Sequence, residues 1–163
     1  MPIPKHMQIA LSLIGVKEFP GKASNPVVEQ FSIDAGFGRM KDDVPWCGFF
    51  VASMLKRAGL PNELEPKWRG WAASYGRLGT KLTNPVYGCV GVKTRQGGGH
   101  VGFVVAANSS TIWLLGGNQG DKVSIAAFPR KLFTAFRLPT GVDAKTLPKL
   151  PVSGTGAKSP SER

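Results

Sequence analysis

Residues 42–55 read Asp-Asp-Val-Pro-Trp-Cys-Gly-Phe-Phe-Val-Ala-Ser-Met-Leu, a polar approach and a proline that lead into one cysteine and an apolar run. From Phe49 onward the apolar residues cover most faces of a helix, and Gly59 suits the left-handed residue that often follows a helix end. The pattern predicts a buried helix with Cys47 in its first turn. The helix dipole and unpaired N–H groups there favour a thiolate, which makes Cys47 a candidate nucleophile. The alternative is a cysteine that packs as a small hydrophobe.

The length and composition of the chain fit a single globular domain. The 163 residues are 42% hydrophobic and 19% charged, which is ordinary for a protein that folds around its own core. No window approaches the roughly 18 consecutive apolar residues of a membrane span, and the N-terminus lacks a signal-peptide pattern. We therefore expect a chain made in the cytoplasm without a signal peptide, which reaches any wall target by release or delivery.

The charge balance is strongly basic, with 21 Lys and Arg residues against 10 acidic ones and a net charge of +11. Such a field favours a polyanionic partner, which could be nucleic acid, an anionic lipid surface or an acidic wall polymer. The charges are scattered along the sequence and do not form the basic run typical of a nucleic-acid-binding tail. The net charge therefore predicts a polyanionic class of partner but does not identify which polyanion is bound.

The order of the predicted elements is helices first and strands afterwards. Residues 7–14 and 25–33 have helical spacing, with Asn25 as the N-cap of the second helix, and residues 67–76 predict a short helix rich in aromatics. Strands are predicted at residues 86–92, 100–107, 111–115, 122–128 and 133–138. This order predicts an α+β domain over residues 1–140, with N-terminal helices packed on a C-terminal antiparallel sheet.

Two further features complete the outline of the chain. Residues 141–163 are rich in Pro, Gly, Ser and Lys and poor in apolar residues, which predicts a flexible basic tail. The second cysteine, Cys89, falls within the predicted strand 86–92 and is interpreted as a buried thiol. Two cysteines are too few for a disulfide framework, so we expect no structural disulfide.

His100 is the candidate partner of the cysteine. It opens a predicted strand after a glycine-rich loop, and a cysteine followed later by a histidine is the order of a nucleophile and base that meet only in the fold. A plain polar residue at a strand end is the alternative. The base needs a third group to fix its tautomer, and the antiparallel neighbour strand can bring Asn118 beside His100. Asp121 is the competing third residue, and the glycines of this loop also fit a simple tight turn.

Three segments together resemble the NlpC/P60 and CHAP superfamily of papain-like cell-wall hydrolases, in particular its compact phage-associated and secreted-effector branch. They are Asp-Asp-Val-Pro-Trp-Cys-Gly-Phe-Phe-Val at 42–51, Gly-His-Val-Gly-Phe-Val-Val at 99–105 and Leu-Gly-Gly-Asn-Gln at 115–119. Segments 15–21 and 71–76 are also similar to that branch, so the resemblance spans residues 7–139. The chain departs from the family at residues 87–89, where Tyr-Gly-Cys stands in place of a frequent Pro-Gly-Asp.

The resemblance implies a papain-like catalytic domain at residues 1–140, with Cys47 as nucleophile, His100 as base and Asn118 as orienting residue. Trp46, Trp71 and Gln119 are the expected substrate-binding residues. The implied reaction is cleavage of an amide bond of bacterial peptidoglycan, either by an N-acetylmuramoyl-L-alanine amidase or by a stem or cross-bridge endopeptidase, in a phage endolysin or an antibacterial effector. We expect a monomer that needs no cofactor and no metal.

Two other functions compete with this prediction. A non-catalytic basic module would bind the cell wall or nucleic acid through its charge alone, with affinity that falls steeply with salt. The sequence has no basic run with interleaved aromatics, so we expect no nucleic-acid partner. The third possibility is the same fold acting on a different amide or on a thioester.

Overall fold

A computed structural model describes residues 2–95 and 98–156 of the chain. Three helices come first, namely α1 (Lys5–Ser12), α2 (Pro26–Asp34) and α3 (Cys47–Arg57). Six strands follow, namely β1 (Thr80–Leu82), β2 (Val90–Arg95), β3 (Gly98–Ala107), β4 (Thr111–Gly116), β5 (Ser124–Pro129) and β6 (Phe133–Leu138). They form one antiparallel sheet in the order β1-β6-β2-β3-β4-β5. The predicted α+β class is confirmed.

Helix α3 is the centre of the core. All nine residues from Cys47 to Leu55 are buried, as expected for a helix that is apolar on most faces. The Phe50 ring lies 5.3 Å from Phe31 of α2 in an edge-on contact and 6.4 Å from Phe103 of β3. The helix therefore packs between α2 and the sheet, and the prediction of a buried helix that begins at Cys47 is confirmed.

The approach to α3 is tied to the start of α2 by one buried carboxylate. The Asp42 Oδ2 atom accepts hydrogen bonds from the backbone N–H groups of Phe19, at 2.8 Å, and Asn25, at 2.7 Å. The Asn25 side chain in turn accepts from the N–H of Val27, which makes it the predicted N-cap of α2. Asp42 thus fixes the loop that delivers the chain to Cys47.

The sheet has an apolar layer on each face. Along β3, successive side chains alternate between the faces, so Val101 and Phe103 pack toward the helices. The intervening Val104 packs with Ile112 and Leu114 of β4 in a second, smaller cluster on the opposite face. His100 is an even number of residues from Val104, so its side chain projects from the same face of the sheet.

Three elements differ from the sequence predictions. The segment 67–76 forms two short 3-10 helices, Pro66–Trp68 and Ala72–Arg77, because the backbone of Trp71 between them is extended. The strand predicted from residue 86 begins at Val90, since Gly88 takes a left-handed φ of 80° in a turn. The short strand β1 pairs with β6 and has no counterpart in the sequence prediction.

The C-terminal segment also differs from the expected flexible tail over the part that the structure describes. Leu147 is buried, and the N–H of Ala107 donates to the carbonyl of Pro151 at 2.9 Å. The Asn108 side chain donates to the carbonyl of Val152 at 3.1 Å. Residues 141–156 therefore contact the β3–β4 hairpin, because Leu147 and Leu150 add apolar surface that the composition understates. Residues 157–163 lie outside the described residues, and the domain boundary at residue 140 stays a prediction.

His6 of α1 supplies a test of the packing between the helices and the sheet. Its side chain is buried, Nε2 donates to the carbonyl of Gly88 at 2.9 Å, and the ring lies 5.2 Å from Phe103. Burial lowers the pKa of His6 below 6.5, although the bond to Gly88 opposes that shift. The folded protein therefore holds this imidazole neutral at pH values where the unfolded chain protonates it.

We expect the free energy of unfolding to fall as the pH drops below 6.5, by up to about 1.4 kcal/mol per pH unit from this group. The sign follows because the unfolded state binds the extra proton. His6→Gln keeps a donor for the Gly88 carbonyl but has no group that titrates. Its free energy of unfolding should therefore fall less steeply between pH 7 and pH 5, as measured by urea denaturation. Equal slopes for the two proteins would show that His6 does not contribute.

Candidate active site

Cys47 lies at the start of α3 and borders an open cleft. Its side chain is mostly buried, and the cleft has a volume of about 390 Å³. Trp71 and Phe37 line the cleft and are 62% and 41% exposed, while Lys67 adds a positive charge to its wall. A thiol at a helix start, beside a cleft with aromatic walls, is suitably placed to meet a substrate.

The start of α3 is held against the segment that carries the cleft wall. The Tyr75 hydroxyl lies 2.7 Å from the carbonyl oxygen of Gly48 and 2.8 Å from that of Arg69. Burial raises the pKa of Tyr75, and the nearby charge of Cys47 raises it further, so the hydroxyl remains a donor. A Cβ atom at Gly48 would stand 2.6 Å from the Arg69 carbonyl oxygen, so only glycine allows this close approach.

His100 stands near the start of β3 and is held by Gln119. The His100 Nε2 atom lies 2.9 Å from Gln119 Oε1, and both side chains are buried. The Gln119 amide nitrogen donates to the carbonyls of Leu114, at 3.1 Å, and Ser124, at 2.8 Å, which fixes which end of the amide faces the imidazole. Because Oε1 can only accept, Nε2 carries the proton and the tautomer is defined.

The two glycines that precede Asn118 make room on opposite faces of the sheet. A Cβ atom at Gly116 would stand 2.6 Å from Gln119 Oε1, and one at Gly117 would stand 2.7 Å from the Trp46 ring and 2.8 Å from Phe50 Cβ. Neither glycine has a positive φ, so close packing and not turn geometry requires them. The tight turn comes afterwards, where Asn118, Gly120 and Asp121 have φ values of 60°, 68° and 61°.

Cys47 and His100 line two neighbouring cavities. Gly99, the residue before His100, lines the Cys47 cleft. His100 itself lines a neighbouring cavity of about 320 Å³, together with Asn118, Gln119 and Lys93. The pleat of β3 directs its side chain to the face opposite Phe103, and its ring lies 5.5 Å from that of Phe128. The candidate nucleophile and the candidate base thus line two cavities that both reach the start of β3.

Three of the predicted site residues have surroundings that differ from the expected ones, and their roles stay predictions. Trp46 is buried, its ring stacks 5.7 Å from Phe31, and Nε1 donates to Glu18 at 3.0 Å, so its ring lies in the core. Gln119 lines the His100 cavity, and its amide makes internal hydrogen bonds to His100, Leu114 and Ser124. It holds the imidazole in the position predicted for Asn118. Trp71 is exposed on the cleft, and its substrate-binding role stays a prediction.

The second cysteine has a different environment. Cys89 is fully buried, and burial raises the pKa of its thiol to about 12. Both cysteines are free thiols. The thiol next to the cleft is therefore Cys47, whereas Cys89 is sealed in the smaller apolar cluster.

The family comparison agrees with this geometry. Residues 39–118 match the model of the CHAP domain. This segment is identified as a CHAP domain. CHAP domains are members of the NlpC/P60-like group of papain-like peptidoglycan hydrolases, so this domain supports amidase or peptidase activity on the cell wall. The match includes Cys47 and His100 and ends one residue before Gln119. Neither a curated protein nor a solved structure matches the chain.

No helix in ranges 2–95 and 98–156 combines the length and the apolar character needed to cross a bilayer. Within those ranges, no group of three or more His, Cys, Asp and Glu side chains could hold a metal ion.

The close packing at Gly48 can be tested by adding one methyl group. Gly48→Ala should lower the free energy of unfolding by about 1–3 kcal/mol, because the new Cβ meets backbone atoms of Arg69 and Gly70. Gly76→Ala is the matched control, since a Cβ there has no neighbour within 4 Å. Urea denaturation gives the free energy of unfolding of both variants. Equal values would mean that the backbone at residues 69–70 can move away from the new methyl group at no cost.

Proposed function

We propose that the CHAP domain is a cysteine-dependent hydrolase that cleaves an amide bond of peptidoglycan, with Cys47 as nucleophile and His100 as general base and acid. The observation that carries the proposal is the hydrogen bond between Gln119 Oε1 and His100 Nε2. A histidine whose tautomer is fixed in this way, near a helix-start cysteine, is the arrangement that nucleophilic catalysis requires.

The proposed reaction has two steps. The His100 Nδ1 atom takes the thiol proton, and the Cys47 sulfur attacks the amide carbonyl to give a tetrahedral oxyanion. The N–H of Cys47, at the start of α3, would donate to that oxyanion. The His100 imidazolium then protonates the leaving amine as the C–N bond breaks. In the second step the neutral imidazole takes a proton from water as the water oxygen attacks the thioester carbonyl. The C–S bond then breaks, the imidazolium returns its proton to the departing thiolate, and the acid product leaves as a carboxylate after releasing its proton to solvent.

The role of Gln119 in this mechanism is to position His100. The sequence predicts Asn118 as the orienting residue. The Gln119 amide, however, has its oxygen facing the imidazole ring and its nitrogen hydrogen-bonded to two backbone carbonyls. A group held at both ends is the better support, because it has little freedom left to lose. We therefore assign Gln119, instead of Asn118, as the third member of the catalytic group.

The catalytic claim can be tested on a suspension of purified bacterial cell walls. Cys47→Ala should reduce the rate of clearing by at least about a thousandfold, because the nucleophile is removed while the fold is kept. Circular dichroism and the urea midpoint serve as controls for folding. If the alanine variant clears walls as fast as the parent protein, cysteine catalysis is refuted, and wall binding through charge becomes the better explanation.

The choice between the two neighbouring amides has its own test. Gln119→Met should reduce kcat by about tenfold or more, because the imidazole loses the acceptor that orients it. Asn118→Gly, which suits the left-handed backbone at that position, should lose much less. Initial rates on solubilised wall fragments give both values. The reverse order of effects would restore Asn118 as the orienting residue.

The bond that is cut can be identified from the products. A new amino terminus on the first residue of the stem peptide would indicate an amidase, and one within the stem or the cross-bridge would indicate an endopeptidase. Mass spectrometry of the digested wall distinguishes these. A phage endolysin or a delivered antibacterial effector is the setting that we propose for either activity.

A further inference from the structure

The Cys47 cleft is one end of a longer depression. A second cavity of about 260 Å³ shares Trp71 and Gly99 with the cleft. A third cavity of about 550 Å³ shares Gly76 and Thr134 with the second. We call the second and third cavities together the lateral groove. Because neighbouring cavities have walls in common, the lateral groove continues directly from the proposed nucleophile.

The lateral groove crosses the sheet strand by strand. Its walls include Gly99 of β3, then Val92 of β2, then Thr134 of β6 and finally Lys81 of β1. This is the spatial order of the strands in the sheet. Neighbouring strands are about 4.8 Å apart, so three steps give a length of roughly 14 Å beyond the cleft. Such a length suits a polymer that extends away from the bond being cut.

The far end of the lateral groove carries two cationic side chains, Lys81 and Arg137, and the Glu63 carboxylate lies near Arg137. Lys81 and Arg137 are register partners on β1 and β6, so their side chains project from the same face. The Arg137 guanidinium is held by the carbonyl of Leu78, at 2.7 Å, and that of Gly79, at 3.1 Å. Lys81 is exposed. The hydroxyl groups of Thr83 and Thr134 line the same cavity, so the end is both cationic and polar.

We infer that the lateral groove binds a carboxylate-bearing repeat of the same wall polymer whose amide is cut at Cys47, with Lys81 as the residue that recognises the carboxylate. The inference rests on the proposed function. Charge complementarity selects this occupant, because a neutral glycan would gain nothing from the Lys81 and Arg137 pair. Continuity with the cleft also favours it, since one polymer can fill both.

The first test measures binding without catalysis. In a Cys47→Ala background, Lys81→Met should weaken binding to insoluble purified peptidoglycan by about three- to fivefold, as measured by sedimentation at low salt. Lys145→Met is the matched control, because it removes the same charge from an exposed position outside the lateral groove. Equal binding by the two lysine variants would overturn the inference.

The second test identifies the chemical group that is recognised. Peptidoglycan whose carboxyl groups have been converted to amides should bind the Lys81→Met and Lys145→Met proteins equally well. A difference that survives amidation would show that Lys81 contacts something other than a carboxylate, and would overturn the inference.

Turnover separates failure of this inference from failure of the proposed function. With Cys47 present, Lys81→Met should lower kcat/KM on polymeric wall fragments by a similar factor. It should leave unchanged the hydrolysis of the shortest muramyl peptide that is still cut, since fewer than four extended residues, at about 3.4 Å each, do not reach the end of the groove. Equal loss on both substrates would refute the inference while leaving cysteine catalysis intact. Clearing that is independent of Cys47 would refute the proposed function instead, and the sedimentation result would still decide the role of Lys81.

Discussion

The structure depends on the need to enclose helix α3 on nearly every side. Its residues from Cys47 to Leu55 are all buried, so α2, the sheet and the segment around Gly70 must each cover one face. Backbone atoms can approach this closely only where a side chain is missing, and Gly48 and Gly117 supply such places. The same packing leaves the first residue of the helix at the edge of a cleft. A constraint of the core thus determines where the thiol lies.

Much of the fold could be predicted from the sequence, because strong local signals agree with the tertiary structure. Periodicity and turn or cap residues predict the same structure in three places, namely the apolar run after Cys47, the helix capped by Asn25 and the two strands around Asn108. The segment 67–76 has a helical composition but breaks at Trp71. Its conformation depends on contacts with Gly48 that are distant in sequence. A three-residue strand such as β1 has too few residues to form a pattern.

The proposed reacting residues can be picked out from the sequence more readily than the residues that hold them in place. Cys47 and His100 stand out as residue types in a characteristic order. The choice between Asn118 and Gln119 depends on one step of backbone geometry, since the left-handed turn at Asn118 lets the next side chain fold back under Gly116. The position of Trp46 depends on a similar detail of packing. Its neighbour borders the cleft, but its own ring enters the core between Phe31 and Gly117.

The contrast between the two cysteines has a practical consequence for labelling. Cys89 is enclosed by apolar side chains and keeps its proton far above neutral pH, so it is a poor target for alkylating reagents. Cys47 borders the open cleft. A fluorophore or an affinity handle could therefore be attached at a single position of the native protein, without first constructing a variant that lacks the other thiol.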